Sequence, residues 1–438
     1  MTTVHVVGGG LAGSEAAWQL ARQGLDVVLH EMRPVRSTPA HKGDGLAELV
    51  CSNSLGSDTA GSAPALLKAE MRQLGSLILE AAEEAKVPAG SALAVDRDVF
   101  SAAVTRRLTA MPGLTLVRDE ITHLEGPIVV ASGPLTSPSL ADHLQAMLGV
   151  GQLHFFDAAA PVVTRESLDM DRLFMASRWD KGEAAYLNAP MNREEYLAFH
   201  AALATAENTV LHLEVEKDVA FFEGCLPVEV LARRGVDTLR YGPMKPVGLT
   251  DPRTGRWPHA CVQLRQDTVT GDMFNLVGFQ TQLKWGEQKR VFSMIPGLAR
   301  AEFVRLGVMH RNTYLASPAF LAPTMQRRGH PEQAFAGTLI GVEGYTEAAA
   351  TGLLAGLNLG RHVRGLPTLE LPPTTMLGAL ARYVSSADPK HFQPMNANWG
   401  LVDPWPERIR DKAERRRLQA QRALQDLART VQEQVPIA

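Results

Sequence analysis

Residues 4–17 read VHVVGGGLAGSEAA and place Gly8, Gly10 and Gly13 in the spacing G-x-G-x-x-G. Each glycine has a separate function in a nucleotide-binding turn. One permits the tight turn, one lets the backbone approach a pyrophosphate, and one lets the following helix pack closely on the strand. The helix N-terminus then offers free N–H groups and the positive end of its dipole to the phosphates. The spacing therefore predicts a dinucleotide site in these residues.

The residues on either side of the glycines predict the elements that such a site needs. The sequence predicts a short buried strand at Thr3 to Val7, a helix at Ser14 to Arg22 and a second strand at Val27 to Glu31. Glu31, at the end of that strand, is placed to accept hydrogen bonds from a ribose hydroxyl. The order strand, glycine turn, helix, strand and acid favours dinucleotide binding over a merely structural turn.

Composition limits the class of protein. The chain has 438 residues, 45% of them hydrophobic, and a formal net charge of −3, so we expect two or three domains and no overall attraction to polyanions. No apolar run approaches the length of a membrane span, and the first strand leaves no room for a signal peptide. The cysteines, Cys51, Cys225 and Cys261, are far apart, which favours the reducing cytoplasm and excludes a C-x-x-C pair or a cysteine zinc cluster. We predict no metal site.

The order of patterns predicts a chain that leaves a dinucleotide fold and returns to it, as flavoproteins do. We predict an α/β fold: a Rossmann-like FAD-binding domain of the glutathione-reductase type with an inserted α+β domain. The expected ranges are a first FAD-binding part at 1–150, an inserted substrate domain at 151–310, a returning FAD-binding part at 311–400 and a helical tail at 401–438. The predicted elements include a long helix over Ala65 to Ala85, strands at Thr209 to Val215 and His259 to Arg265, and helices at Tyr345 to Leu359 and Glu407 to Thr430.

Long motifs along the whole chain resemble one family. They include EMRP at Glu31, AELVCSNSL at Ala47, VPAGSALAVDRDVFS at Val87, GCLPVEVLARRGVDTLRYGPMKPVGL at Gly224 and GVEGYTEAAATGLLAG at Gly341. The chain resembles the folate- and FAD-dependent tRNA (uracil-5-)-methyltransferases, relatives of the MnmG flavoproteins. The resemblance implies transfer of a one-carbon unit from 5,10-methylenetetrahydrofolate to C5 of the T-loop uridine, position 54 of tRNA, with reduced FAD and NAD(P)H. The alternative is an MnmG-like enzyme that modifies a wobble uridine with a partner GTPase. The total length of the chain favours the first family. For that family we predict no protein partner.

The cysteines carry the predicted chemistry. Uracil C5 becomes nucleophilic when a thiolate adds to C6, and cysteine is suited to that addition and to leaving again. From residue type alone, either Cys51 or Cys225 can be an inert buried thiol. The resemblance favours Cys225 as the nucleophile and Cys51 as the flavin-side base or proton relay, although the two roles can be exchanged. Cys261 is read as incidental.

The predicted binding residues fall into two groups. For FAD they lie in the glycine turn, at the second strand and in the later glycine segments: Gly8, Gly9, Gly10, Leu11, Ala12, Gly13, Glu31, Arg33, Gly133, Gly341, Glu343 and Tyr345. Gly341 can instead be a plain turn residue, and Tyr345 can stack on a flavin or pterin ring or pack against the sheet. For tRNA the terminal helix offers Arg410, Lys412, Arg415 and Arg416. A charged helix can equally be a solvated face, and Trp257, Trp285 and Trp399 are further stacking candidates.

Two rival functions remain open at this point. One is an FAD oxidoreductase that acts on a small molecule, which predicts flavin turnover without tRNA. The other is a non-catalytic FAD protein that binds tRNA, which predicts that replacement of Cys225 leaves its action intact.

Overall fold

The computed structural model describes residues 2–38, 40–149, 152–158, 160–180, 183–209, 226–307, 309–389 and 391–434. The strands in this part of the chain are β1 (Thr3–Val7), β2 (Asp26–His30), β3 (Ser54–Ser57), β4 (Lys86–Val87), β5 (Ala92–Val95), β6 (Leu114–Val117), β7 (Ile128–Val130), β8 (Gln152–Ala158), β9 (Val162–Thr164), β10 (Phe174–Ala176), β11 (Tyr186–Met191), β12 (Ala260–Gln266), β13 (Met273–Leu276), β14 (Phe303–Arg305), β15 (Met309–Leu315), β16 (Gln326–Arg327) and β17 (His330–Phe335). The helices are α1 (Leu11–Arg22), α2 (Ala63–Gln73), α3 (Leu77–Glu84), α4 (Arg97–Thr109), α5 (Pro138–Leu148), α6 (Arg193–Thr205), α7 (Val228–Arg234), α8 (Thr238–Tyr241), α9 (Trp285–Phe292), α10 (Tyr345–Val363), α11 (Met376–Ser386) and α12 (Lys412–Gln434).

A mainly parallel sheet positions the glycine turn. Its strand order is β16-β17-β7-β1-β2-β6; β17, β7, β1, β2 and β6 run parallel to one another, and β16 pairs with β17 antiparallel. Strands β1, β2 and β7 consist mostly of Val, Ile and Leu and are largely buried, as expected of parallel strands covered on both faces. The predicted α/β fold with a Rossmann-like parallel sheet is confirmed.

Helices α1 and α10 approach each other closely because small residues face small residues. Gly352 and Gly356 are four residues apart and so lie on one face of α10. A methyl group on either glycine would overlap the backbone of α1, at Ala12 and Ala16 respectively. The returning part of the chain is thereby packed directly on the helix that follows the glycine turn.

A second sheet forms the inserted region. It has the order β10-β11-β12-β13-β9-β14 with antiparallel pairs, and α6, α7 and α9 contribute to its separate hydrophobic cluster. Strand β12 corresponds to the strand predicted at His259 to Arg265. The strand predicted at Thr209 to Val215 lies mostly outside the described residues, and the domain bounds drawn from sequence remain a prediction.

The single helix predicted over Ala65 to Ala85 is wrong, because the chain breaks there into α2 and α3. Gly75 adopts the left-handed region with φ +74. The buried Glu15 carboxylate accepts hydrogen bonds from Ser76 Oγ (2.7 Å) and from the Ile78 backbone N–H (3.0 Å). The Glu15 carboxylate therefore provides an acceptor for the N–H groups at the N-terminus of α3, which lack partners within the helix. Helical periodicity in the sequence does not predict this contact.

The terminal helix begins later than predicted. Asp411 Oδ1 accepts the backbone N–H groups of Ala413 (2.7 Å) and Glu414 (3.2 Å), which makes Asp411 the N-cap and excludes residues 407–410 from α12. In the described ranges, no helix is long and apolar enough to cross a membrane.

Candidate active site

The main cavity lies where the glycine turn, the strand ends of the parallel sheet and the returning segment meet. Of the predicted FAD residues, those that line it are Gly8, Gly10, Leu11, Ala12, Glu31, Arg33, Gly133 and Tyr345. Gly337, Thr338, Gly344 and Ala348 of the returning segment complete the wall on the other side. The cavity therefore runs from the glycine turn to the N-terminus of α10, as an extended dinucleotide requires.

The glycine turn fits a bound pyrophosphate. A methyl group at Gly8 would lie 2.5 Å from the Ala131 carbonyl oxygen, and one at Gly13 would overlap the Gly8 carbonyl oxygen. A methyl group at Gly10 would meet no atom of the described residues within 4 Å, so the space in front of Gly10 is open. In the part of the chain that the structure describes, no side chain caps α1, which leaves its first N–H groups facing the cavity side of the turn. Two glycines are thus needed for packing, and the third leaves room for a phosphate.

Glu31 combines a structural role with its place in the cavity wall. Its Oε2 accepts the Gly9 backbone N–H at 2.8 Å, and its Oε1 accepts Arg33 Nε at 2.9 Å. Burial alone would raise the pKa of Glu31, but the hydrogen bonds and charge of Arg33 outweigh it and hold the pKa below its ordinary value. The carboxylate is therefore ionised at neutral pH and keeps lone pairs for a ribose hydroxyl.

Three predicted residues support the wall from behind. Gly9 is held by Glu31, and a methyl group there would lie 2.5 Å from the Leu46 side chain. Gly341 has φ +82 and packs beneath the Phe392 ring. The Glu343 backbone N–H donates to Met395 O at 2.9 Å. These residues, like Gly13, shape the site without lining the cavity.

Tyr345 holds the loop that carries Cys51. Its hydroxyl oxygen accepts the backbone N–H of Cys51 at 2.7 Å and that of Ser52 at 3.2 Å. Burial raises the pKa of the tyrosine, so the hydroxyl stays protonated at neutral pH. Since Tyr345 also lines the cavity, the Cys51 loop is fixed at the end of the cavity formed by the returning segment.

A buried lysine fixes the other side of the same loop. Lys68 is fully buried, and its Nζ donates to Leu55 O at 3.0 Å and to Ser57 O at 2.9 Å. Thr346 Oγ1 also donates to Leu55 O, at 2.8 Å. Burial lowers the pKa of Lys68 to about 8. Two neighbouring residues of α10, Tyr345 and Thr346, thus hold both ends of the Cys51–Leu55 segment.

A group of cations stands beside this loop. Arg305 Nη1 points to Val50 O at 3.4 Å, and burial together with nearby Arg97 lowers its pKa. The Arg97 side chain is only 10% exposed; its Nη2 is 3.4 Å from Asp267 Oδ1, while its Nε and Nη2 have no hydrogen-bond acceptor among the described residues. Burial lowers the pKa of Lys42, and the nearby Arg305 and Arg97 lower it further. Three cations beside the two carboxylates Asp267 and Glu48 favour an anionic substrate here. Arg97 lies in the motif at Val87, whereas no motif quoted above includes Lys42 or Arg305.

The three cysteines have different surroundings. Cys51 is partly exposed on its loop. Cys261 is fully buried in β12, and burial raises its pKa to about 12, which agrees with an incidental residue. Cys225 lies outside the described residues; two residues later, Pro227 is the N-cap of α7.

A histidine in the cavity wall, His30, was missed by sequence reasoning. His30 Nδ1 lies 2.8 Å from Asp119 Oδ1, and His30 Nε2 lies 3.0 Å from His5 Nδ1. Both His30 and Asp119 line the cavity. The strand register places His30 at the carboxyl end of β2, but no motif marks it.

The predicted tRNA residues lie at the start of α12. Arg415 and Arg416 line a surface cavity of about 650 Å³ together with Trp399, Trp405 and Arg408. Arg410 and Lys412 are exposed just before and at the start of the helix. The Trp399 indole N–H donates to Gly61 O at 3.1 Å, so this cavity adjoins the turn that precedes α2.

Comparisons with known proteins agree with this geometry. Residues 3–367 match the family model described as Glucose inhibited division protein A. The chain is 55% identical to the methylenetetrahydrofolate–tRNA-(uracil-5-)-methyltransferase TrmFO of Brevibacillus brevis, with 98% of each chain covered. It is 57% identical to the protein of the same name from Moorella thermoacetica, with 96% of this chain and 97% of the relative covered. The corresponding Gloeobacter violaceus protein is 59% identical, with 94% and 92% covered.

A solved structure supports the fold. Aquifex aeolicus GidA superposes with a TM-score of 0.67 over 99% of this chain and 75% of that chain, at 15% identity. At that identity the likeness concerns the fold alone. The close, near full-length relatives confirm the family inferred from the motifs: the chain belongs to the methylenetetrahydrofolate–tRNA-(uracil-5-)-methyltransferase TrmFO family.

Proposed function

We propose that the protein methylates C5 of the T-loop uridine of tRNA, with 5,10-methylenetetrahydrofolate as the carbon donor and reduced FAD and NAD(P)H as reductants. The proposal places this reaction in the cytoplasm. One observation carries it: Tyr345 ties the Cys51 loop to the returning-segment end of a cavity whose other end is an open glycine turn. A thiol is thereby held where the reactive end of a dinucleotide cofactor would lie.

The thiols would act on the uracil ring. Addition of the Cys225 thiolate to C6 makes C5 electron-rich, so that C5 can form a bond to the methylene carbon. Removal of the C5 proton expels the nitrogen that carried the methylene carbon and leaves a methylene group on C5. A hydride added to that carbon then expels the thiolate from C6 and restores the ring. In the proposed division Cys51 accepts that proton, and the hydrogen bonds from the Cys51 and Ser52 N–H groups to Tyr345 fix its position.

Conversion of a methylene to a methyl group needs a hydride, and reduced FAD supplies it when bound. The glycine turn, Glu31 and the first turn of α1 would hold the adenosine and pyrophosphate part. The cations Lys42, Arg97 and Arg305 would attract anionic groups of the substrates towards the Cys51 loop.

The start of α12 would bind tRNA phosphates. Arg415 and Arg416 share a cavity with two tryptophans, and phosphate contacts supply most of the affinity in such complexes. Arg410 and Lys412 extend the same basic surface.

The proposal is tested with unmodified tRNA transcript, methylenetetrahydrofolate, NADPH and the FAD-loaded protein. We expect 5-methyluridine at the T-loop position, measured by nucleoside mass spectrometry. A transcript with cytidine at that position is the control and should remain unmodified. Flavin turnover without any tRNA product would favour a small-molecule oxidoreductase, and modification of the wobble uridine would favour an MnmG-like activity.

A further inference from the structure

Two exposed tryptophans lie against each other on the inserted region. The Trp179 and Trp257 ring centroids are 5.4 Å apart, with an interplanar angle of 85°. Their exposed fractions are 56% and 48%. Burial of a large aromatic side chain contributes a large favourable free energy, so an adjacent exposed pair indicates a binding surface.

The backbone at Trp179 is strained and firmly held. Its φ is +60°, a left-handed region that is unfavourable for a non-glycine residue and persists only where surrounding contacts impose it. The Trp179 N–H donates to Gly248 O at 2.8 Å, and the indole packs on Gly248, where a methyl group would lie 2.9 Å from the ring. Arg178 donates to Val247 O (2.7 Å) and to Lys245 O (2.8 Å). The exposed indole is therefore preorganised.

Arginines line a groove beside Trp257, and two of the four make no ion pair among the described residues. Trp257 lines a groove of about 590 Å³ together with four arginines. Arg172 and Arg253 each pair with a carboxylate, at 3.1 and 3.0 Å. Arg193 and Arg256 are exposed and make no ion pair within the part of the chain that the structure describes. We call Trp179, Trp257, Arg193 and Arg256 the tryptophan–arginine surface.

This combination suits unpaired RNA. Indole faces stack on bases of any sequence, and arginines contact the phosphates between them. A carboxylate-rich ligand would not use the exposed indole faces, and a purely apolar ligand would not use the arginines.

The surface lies well away from the candidate cysteine loop. Trp257 precedes β12, whereas the last residue of β12, Gln266, accepts a hydrogen bond from Asn53 at 3.0 Å through its backbone oxygen. Asn53 is two residues from Cys51. Seven strand residues span about 20 Å at a rise of about 3.3 Å each. One nucleotide cannot reach both places, but one tRNA can.

We propose that the tryptophan–arginine surface binds unpaired nucleotides of the tRNA outside the T-arm, as a second contact that the methylated loop does not reach. This inference rests on the proposed tRNA function and names where else the same substrate is bound.

The test compares two RNAs: a full-length unmodified tRNA transcript and a hairpin that contains only the T-arm. Each is labelled with a fluorophore, and its Kd for the FAD-loaded protein is measured by anisotropy. We expect Trp257→Ala and Trp179→Ala each to raise the Kd of the tRNA about tenfold, with the Kd of the hairpin unchanged. Arg256→Gln should lower the slope of log Kd against log salt by about one for the tRNA alone.

Trp285→Ala is the matched control: sequence alone made Trp285 a stacking candidate, but it lines neither of the two surface cavities proposed above to bind RNA. Trp285 is 64% exposed and starts α9 beside the ion pair Lys284–Glu207, at the C-terminal end of α6. Arg193 begins α6, and a helix of thirteen residues is about 20 Å long, so the control removes an equally exposed indole far from the surface. Its two Kd values should match those of the unmodified protein.

The outcomes separate the inference from the proposed function. Wild-type tRNA affinity in the Trp257→Ala and Trp179→Ala variants, with normal melting temperature and flavin spectrum, would overturn the inference and leave the function standing. Equal weakening of tRNA and hairpin would overturn the placement outside the T-arm. Failure of the unmodified protein to bind either RNA would overturn both.

Discussion

Replacement of Tyr345 by Phe removes one oxygen atom and keeps the ring that lines the cavity. That oxygen accepts two backbone N–H groups, those of Cys51 and Ser52. The variant therefore separates the positioning of the cysteine loop from the packing of the aromatic ring.

The size of the effect follows from the two lost hydrogen bonds. A buried donor without an acceptor costs about 1–3 kcal/mol, and water recovers part of this because Cys51 and Ser52 are partly exposed. We expect a net loss of about 1.4 kcal/mol in transition-state stabilisation, which is about a tenfold lower kcat/KM. The loss should appear in kcat, because the tRNA and folate contacts remain.

Single-turnover methylation of a tRNA transcript, with flavin content measured on the same samples, is the assay. Tyr383→Phe is the control. The Tyr383 hydroxyl donates to Gln393 O at a distance of 2.7 Å, and Tyr383 is not among the residues that line the cavity. An unchanged kcat in Tyr345→Phe would refute the positioning role. Loss of bound FAD in proportion to activity would show that the hydroxyl serves the cofactor and not the loop.

Three further predictions concern the turn, a buried acid and a buried thiol. Gly10→Ala should weaken FAD binding at least tenfold without changing the melting temperature of the apoprotein, because its methyl group meets no atom of the described residues within 4 Å. Gly13→Ala should instead destabilise the fold by about 1–3 kcal/mol through overlap with the Gly8 carbonyl. Thermal melts and flavin titration distinguish the two variants, and equal melting temperatures would contradict this prediction. Burial raises the pKa of Glu70 from 4.5 to about 8. Between these two pH values the folded state keeps a proton that the unfolded state releases. The free energy of unfolding should therefore fall as the pH rises from about 4.5 to about 8. Urea unfolding at several pH values should show a shallower fall for Glu70→Gln, and an identical slope would count against the shifted carboxyl. Cys261→Ala should leave methylation unchanged. Because burial raises the pKa of the Cys261 thiol to about 12, this thiol should react with iodoacetamide only after unfolding. Alkylation of the native thiol would disprove this prediction.

Local patterns carried most of what the sequence could predict. The glycine spacing predicts a turn because a tight turn and a close helix contact are local backbone requirements, and Gly8 and Gly13 meet them. Likewise, β1 and β2 follow from short runs of buried aliphatic residues. The family resemblance added the chemistry of Cys51 and Cys225, which residue type alone leaves open.

Contacts between distant segments could not be predicted. The break between α2 and α3 depends on Glu15, about sixty residues earlier in the chain. Likewise, Tyr345 binds the Cys51 loop across nearly three hundred residues. The strained backbone of Trp179 depends on Gly248, so sequence reasoning chose Trp257 as a stacking candidate and overlooked its partner. Periodicity and spacing carry no information about such pairs.

The most direct test follows both the carbon and the hydride. Unmodified tRNA is incubated in D₂O with the FAD-loaded protein, NADPH and methylenetetrahydrofolate whose methylene carbon is ¹³C. Exchangeable flavin hydrogens become deuterium under these conditions, so the account predicts T-loop 5-methyluridine whose methyl group carries one ¹³C and one deuterium. A methyl group without ¹³C would contradict the folate donor, one with ¹³C but without deuterium would contradict hydride transfer through the flavin, and an unmodified T-loop uridine would contradict the proposed reaction as a whole.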